Sequence, residues 1–177
     1  MSLPQRVTKT HATGNDFVVY LDKSGKFEPS DDEVRFLCDR HFGIGGDGLI
    51  RLTRPDFVSD LSDDQLSDVL AGGAKWFMDY RNADGSLAEM CGNGTRAITL
   101  FAQREGVADS TEPFRLGTRA GVKILTPRGN MRPYGANVFQ VEMGEWKIGE
   151  TDAYEVTIPG AEGSARGTFV DLSLIHI

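Results

Sequence analysis

The sequence has few cysteines, no long apolar run and no excess of basic residues, and each absence excludes a class of protein. Its two cysteines, Cys38 and Cys91, give neither a disulfide framework nor the spacing of a zinc site. No stretch is apolar for long enough to span a membrane, and none has the pattern of a signal peptide. The sequence therefore predicts a protein of the reducing cytoplasm, with no membrane as a partner.

The charge and the composition are those of an ordinary globular chain. The formal net charge of −7 argues against nucleic acid as a partner. Hydrophobic residues make up 40% of the sequence and charged residues 25%, which is typical of a domain with its own core. A length of 177 residues suits one domain or part of a two-domain protein.

Strand patterns dominate the chain. Residues 7–12, 16–21 and 74–80 are rich in aromatic and β-branched side chains, as strands are. Five further strand patterns follow Phe114 and are separated by glycine, proline and asparagine. They cover residues 114–118, 122–126, 138–142, 154–158 and 168–171.

Apart from a short helix predicted in the acidic segment below, two helices interrupt these strands. Ser30 opens a capping box for the first, which puts Val34, Leu37 and Cys38 on one face, so Cys38 is interpreted as a core residue. The second contains residues 97–102, which are apolar on nearly every side, and should end near Gly106. A helix that is apolar all round is buried. We therefore predict an α+β fold, with a curved, mixed or antiparallel sheet around a central buried helix.

Residues 55–73 form an acidic segment that contains no lysine or arginine. Its aspartates surround Leu66, Val69 and Leu70, a pattern that predicts a short amphipathic helix on a surface excursion. A calcium loop needs closer aspartates and a glycine at its turn, so no metal site is predicted here.

Residues 43–48 match the dinucleotide-binding pattern G-x-G-x-x-G, but their context does not fit it. That pattern should follow a strand and open a helix. Here a helix precedes the glycines, and the β-prone residues 49–53 follow them. We therefore favour a glycine loop that enters a strand over a nucleotide-binding module.

Residues 82–96 are the stretch around which the chain is organised, and they read NADGSLAEMCGNGTR. Asp84 and Gly85 indicate a tight turn, and Cys91 precedes glycines at the start of the apolar helix. A helix N-terminus presents unpaired N–H groups, which favour a thiolate and can bind an anion. A lone cysteine is more often a packed core residue. The flanking glycines and asparagine favour a reactive thiol for Cys91 instead.

These residues carry a family resemblance. The segments YRNADGS (80–86) and MCGNGTR (90–96) closely resemble diaminopimelate epimerase. The segment HATGNDF (11–17) is similar to the opening motif of that family, and DRHFGIGGDGL (39–49) to its second motif.

The resemblance implies a fold and an activity. It implies two similar lobes, each with a sheet curled around a central helix, and the inversion of one α-carbon of diaminopimelate without a cofactor. Cys91 would be one of two catalytic thiols, and Asn15 and Asn82 would contact the substrate. Some members carry a substrate-contacting glutamine where this chain has Gly48, so that contact would be missing or made by the backbone.

The resemblance also implies how the chain is organised. Residues 1–171 would form the N-terminal lobe, with 55–73 as an acidic surface insertion and 172–177 as a non-native tail. The partner thiol would then lie in an absent C-terminal half. The activity would serve the synthesis of lysine and peptidoglycan precursors, and a homodimer is left open.

Inverting an α-carbon requires a base on one face and an acid on the other. The charge that develops on the adjacent carboxylate requires fixed donors, for which the backbone N–H groups of Gly92 and Asn93 are the candidates. Asn82 also fits a purely structural turn, and both of its roles can hold together. Asp84 is interpreted as structural, and for Arg96 we favour a buried structural ion pair. Related proline racemases or phenazine-type isomerases, and a catalytically inactive half-site, are the alternative functions.

Overall fold

The structure is a computed structural model that describes residues 3–157, 159–160 and 162–171. The tail expected at residues 172–177 lies outside the described residues. The chain divides into two compact units, Met1–Met143 and Gly144–Ile177. The first unit contains Cys91 and the other candidate site residues.

A seven-stranded mixed sheet forms the frame of the first unit, and its strands follow one another in sequence order. The strands are β1 (Thr8–Ala12), β2 (Asn15–Asp22), β3 (Gly48–Thr53), β4 (Trp76–Asn82), β5 (Phe114–Thr118), β6 (Gly121–Met131) and β7 (Gly135–Glu142). Pairs β2–β3 and β4–β5 are parallel, and the other neighbouring pairs are antiparallel.

The inner face of this sheet packs on helix α3 (Gly92–Arg104). Alternate residues of each strand point to this face, as the period of a β-strand requires. The core that they form with α3 includes Phe17, Ile50, Met78, Ile98 and Leu116, all buried. On α3 itself, Leu100 is half-buried and Arg104 is exposed, so the described residues leave one side of the helix uncovered.

The outer face of the sheet packs on helices α1 (Asp31–Cys38) and α2 (Asp63–Ala71). Both begin with a serine capping box. Helix α1 buries Val34, Leu37 and Cys38 against this face, as its sequence predicts. The helix predicted in the acidic segment is present as α2, and it buries Val69 against Phe77 of β4.

Buried charges occupy the outer face between these two apolar clusters. Arg51, fully buried on β3, donates to Asp79 of β4 at 2.9 Å and lies 3.6 Å from Asp22. Arg119 binds Asp79 at 2.7 Å and pairs with Asp60 of the acidic segment through two contacts of 2.6 and 2.8 Å. Burial opposes both charges of this second pair, yet their hydrogen bonds lower the pKa of Asp60 and raise that of Arg119. The acidic segment is therefore tied to the sheet by ionic contacts as well as by packing.

The second unit is built from short strands. Strands β9 (Tyr154–Thr157) and β10 (Ser164–Gly167) form an antiparallel pair, and β8 (Lys147–Ile148) pairs with β11 (Val170–Asp171). The sequence pattern had indicated two of these strands, at 154–158 and 168–171, and had missed β8 and β10.

The α+β fold with a curled mixed sheet around a central helix is confirmed. Strand β6 runs five residues beyond its predicted end at Thr126, because its partner β7 extends with it across two register shifts. Among the described residues, no helix is long and apolar enough to cross a membrane.

The buried pair between Arg51 and Asp79 gives a test of the fold. We expect Arg51→Met to lower the free energy of unfolding by about 3–5 kcal/mol, since it removes the buried cation shared by the carboxylates of Asp22 and Asp79. Arg54→Met is the matched control, because Arg54 pairs with Asp56 in solvent, where an ion pair contributes little. Urea denaturation of both variants measures the difference, and equal losses would contradict the role given to the buried pair.

Candidate active site

The connection from β4 to α3 is a tight turn followed by a short extended segment. The N–H of Gly85 donates to the carbonyl of Asn82 at 2.9 Å, and Gly85 has a φ of +89°, which favours glycine. Asp84 accepts from the hydroxyl of Ser86 at 2.6 Å and from its N–H at 2.9 Å, and these bonds lower the pKa of the Asp84 carboxyl. This geometry supports the structural interpretation of Asp84.

Cys91 is the N-cap residue of α3. Its backbone is extended, with φ −138° and ψ 118°, and its sulfur accepts from the N–H of Gly94 at 3.3 Å. The side chain is half-buried. The sulfur is therefore neither in the middle of a strand nor sealed in the core, and the helix dipole favours negative charge where it lies.

Glycine lets the start of α3 lie close to the sheet. A Cβ at Gly94 would be 2.8 Å from the end of Met78 and 3.2 Å from the end of Ile50. Gly92 has more space, since its nearest contact, with Met143, would be 3.5 Å. A side chain at Gly92 would thus be in ordinary contact with Met143, without the clash expected at Gly94.

The turn between β1 and β2 brings Asn15 to Cys91. Thr13 and Gly14 have positive φ values of 51° and 87°, which reverse the chain in two residues. The side-chain oxygen of Asn15 then lies 3.6 Å from the Cys91 sulfur and 3.3 Å from the side-chain amide nitrogen (Nδ2) of Asn93. Three of the predicted site residues therefore meet at one point, although 76 positions separate Asn15 from Cys91.

Arg96 makes a different contact from the one expected. The buried ion pair predicted for it is wrong, because among the described residues no carboxylate lies within ion-pair distance of its guanidinium. It donates instead to the hydroxyl of Thr13 at 3.3 Å, to the side-chain oxygen of Asn93, and to the carbonyl of Gly92 at 3.3 Å. It thereby fastens the β1–β2 turn to the start of α3.

A charged cluster that the sequence interpretation left without a role supports this turn from the other side. Arg40 binds both carboxylate oxygens of Asp16, at 2.8 and 2.9 Å, and one oxygen of Asp47 at 2.8 Å. With Lys9 at 2.8 Å, Arg40 holds the pKa of Asp16 well below its usual range. The second oxygen of Asp47 accepts from the amide of Asn15 at 2.7 Å. The sequence signal that could have indicated this cluster is the opposite charge of Asp16 in the segment 11–17 and Arg40 in the segment 39–49.

Asn82 lies at the same end of the sheet, but its side chain bonds within its own turn. It is opposite Gly48 on β3, and its amide donates to the hydroxyl of Ser86 at 3.0 Å. Within the described part of the chain, no hydrogen bond joins Asn82 to Cys91. A ligand above the sulfur would have to draw this amide out of the turn or use its remaining donor.

The two cysteines have different environments. Cys38 is only 4% exposed and packs on the outer face of the sheet. Burial raises the pKa of its thiol to about 11. Cys91 is half-exposed at a helix start on the inner side, so only Cys91 has the setting of a reactive thiol.

The arrangement suits proton transfer beside a bound carboxylate. A sulfur with both a donor and an acceptor next to it can give or take a proton, and nearby N–H groups can hold an anion. In residues 3–157, 159–160 and 162–171, no group of three histidine, cysteine or acidic side chains could hold a metal ion.

The fold places the chain in a class of known structures. A probable proline racemase from Agrobacterium radiobacter K84, solved with bound carbonate, superposes with a TM-score of 0.60 over 93% of this chain and 48% of its own. The two sequences are 14% identical, so the likeness concerns the fold.

The sequence narrows this class to one family. The diaminopimelate epimerase family profile matches residues 7–148, so the chain belongs to that family. The diaminopimelate epimerase of Thermobifida fusca is 36% identical over 97% of this chain, and that of Corynebacterium glutamicum (strain ATCC 13032) is 43% identical over 70%. The chain covers 58% and 41% of these two relatives, about half of their length.

Thiol labelling tests the difference between the two cysteines. At mildly alkaline pH, we expect iodoacetamide to modify Cys91 at least about tenfold faster than Cys38, because the thiolate is the nucleophile and Cys38 is buried. Mass spectrometry of the folded chain gives both rates, and Cys91→Ser should remove the fast phase. Equal rates at the two sulfurs would count against a reactive setting for Cys91.

Gly48 gives a steric test. A Cβ there would be 2.6 Å from both the carbonyl oxygen of Arg81 and the ring of Tyr80. We expect Gly48→Gln to destabilise the chain by about 1–3 kcal/mol, because β4 must move to accept the side chain. Gly149→Ala, whose Cβ would meet nothing closer than 3.4 Å, is the control in the same denaturation series. A Gly48→Gln variant as stable as the parent would show that β4 adapts without cost.

Proposed function

We propose that this chain supplies one half of the active site of a diaminopimelate epimerase that works without a cofactor. The observation that carries the proposal is the half-buried Cys91 sulfur at the N-cap of α3, next to the side chains of Asn15 and Asn93. Family membership supports diaminopimelate as the substrate, and the geometry around Cys91 supports proton transfer by its thiol.

Cys91 exchanges a proton with one face of the α-carbon. A second group on the opposite face must complete the inversion by delivering a proton. A second thiol is suited to this role, because each sulfur then ends the reaction in the protonation state in which the other began. Cys38 cannot be that group, since it is buried at the end of α1 on the far face of the sheet. The second thiol therefore has to come from outside these 177 residues.

The substrate carboxylate binds at the start of α3. The N–H groups of Gly92 and Asn93 precede the first intrahelical hydrogen bond, so they are available to an anion. They lie beside Cys91 and need no movement to stabilise the charge that develops as the α-proton leaves. The amides of Asn15 and Asn82 offer donors and acceptors for the rest of the amino acid.

Three features expected from the resemblance belong to the same proposal. They are the lobe formed by residues 1–171 with its acidic insertion at 55–73, the non-native tail at 172–177, and a homodimer. With only one of the two thiols, the present chain by itself is a half-site that binds substrate weakly and does not turn it over.

Isotope exchange tests the function. In deuterated water, full-length protein that contains these residues should place deuterium on the α-carbon of L,L-diaminopimelate and form the meso isomer. Cys91→Ala should lower this rate by at least about 10²-fold, the contribution of one acid or base group, without changing the thermal transition. Cys38→Ala is the control and should retain exchange.

The 177-residue chain serves as a second test. Because it lacks a second reactive thiol, it should form no meso isomer under the same conditions. Turnover by the chain alone would refute the two-thiol mechanism, and full activity of Cys91→Ala would refute the role of Cys91.

A further inference from the structure

We propose that Asp47 is a positioning residue, which fixes the side-chain amide of Asn15 so that its oxygen, and not its nitrogen, faces the Cys91 sulfur. The inference rests on the proposed function for its catalytic meaning. The geometry that supports it does not depend on that function.

The orientation of Asn15 follows from its contact with Asp47. The two atoms in contact are 2.7 Å apart, and an ionised carboxylate can only accept hydrogen bonds. The NH₂ end of Asn15 must therefore face Asp47. The opposite end, the carbonyl oxygen, is then the one 3.6 Å from the sulfur and 3.3 Å from the amide nitrogen of Asn93.

Asp47 is itself held in a fixed position. Arg40 donates to one carboxylate oxygen at 2.8 Å, and the backbone N–H of Asp16 donates to the other at 3.1 Å. The backbone N–H of Asp47 donates in turn to the carbonyl of Asp16 at 2.8 Å. Flipping Asn15 would set its oxygen against this hydrogen-bonded carboxylate and lose a charge-assisted hydrogen bond.

The orientation of the Asn15 amide determines which protonation states of the Cys91 sulfur are stabilised. On one side the sulfur meets the N–H of Gly94 at 3.3 Å, a donor that stabilises a thiolate. On the other side it meets the oxygen of Asn15, an acceptor that stabilises the thiol through its S–H. A flipped amide would present a second donor and favour the thiolate alone. Asp47 thus keeps both protonation states accessible, as a group that alternates between acid and base requires.

Other charged and titratable groups lie on the elements packed around Cys91, and the test has to separate their effects from that of Asp47. Strand β2 contributes Asp16, whose carboxylate forms ion pairs with Arg40 and Lys9. Strand β4 contributes Tyr80, whose pKa is raised to about 12 by burial and by the nearby Cys91. Helix α3 contributes Arg96, which contacts Gly92 and Asn93. A substitution at Asp47 that acted only through its charge would resemble the loss of the negative charge of Asp16, and the loss of Arg96 would act in the opposite direction.

The experiment is the pH profile of Cys91 alkylation by iodoacetamide in the full 177-residue chain. With Asp47→Ala, Asn15 is free to turn its NH₂ towards the sulfur. We expect the midpoint of the profile to fall by about one pH unit, which gives about tenfold more reactive sulfur below the midpoint. Asp56→Ala, which removes an exposed aspartate paired with Arg54, should leave the profile unchanged.

A double-mutant cycle shows whether Asp47 acts through Asn15. In an Asn15→Ala background, Asp47→Ala should produce no further shift, because the amide that transmits the effect is gone. A shift of equal size in both backgrounds would mean that the charge of Asp47 acts directly, and it would overturn the inference. So would the absence of a shift in Asp47→Ala itself.

Asp47→Asn provides a conservative variant, which also serves if Asp47→Ala does not fold. Its amide oxygen can still accept from Asn15, so the profile should stay close to that of the parent chain. A shift as large as that expected for alanine would reject the positioning role. These measurements follow sulfur chemistry alone, so loss of epimerisation in the full-length protein would refute the proposed function and leave this result intact.

Discussion

The site depends on the close approach of the first turn of α3 to the inner face of the sheet. Gly94 allows this approach, since any side chain there would press on Met78 and Ile50. The same residue donates its N–H to the Cys91 sulfur, so one glycine sets both the depth of the helix and a hydrogen bond of its N-cap. A helix packed further out would take the sulfur away from Asn15, because the turn that holds Asn15 belongs to the sheet.

Polar contacts join three separate stretches of the chain around that point. Arg40 binds Asp16 and Asp47, and so connects the loop before β3 to the β1–β2 turn. Arg96 binds Thr13, and so connects the same turn to α3. The turn is held from both sides by guanidinium groups, whose planar donors fix direction as well as distance. This explains why a site built at the ends of strands and at a helix start can have a defined geometry.

The outer face of the sheet supports the same region by another route. One nitrogen of Arg119 donates to the carbonyls of Tyr80 and Ala88, at 3.2 and 3.5 Å, on the connection that leads to Cys91. The other nitrogens of its guanidinium bind Asp60 and Asp79. Arg119 thus connects Asp60 of the acidic segment to Ala88, which lies between β4 and Cys91. Removing a partner of such a group leaves a poorly solvated charge, so the contact is costly to break.

The sequence by itself determined the helices and the strands of the seven-stranded sheet, the family, and the position of Cys91 at a helix start. These features follow from local patterns: the period of apolar residues, the capping box at Ser30, and glycines beside a cysteine. It did not determine the partners of Arg96, the role of Asp47 or the orientation of the Asn15 amide. Only the tertiary structure decided these, because a hydrogen bond between residues 32 or 76 positions apart depends on how the sheet curls around its helix and leaves no local pattern in the chain.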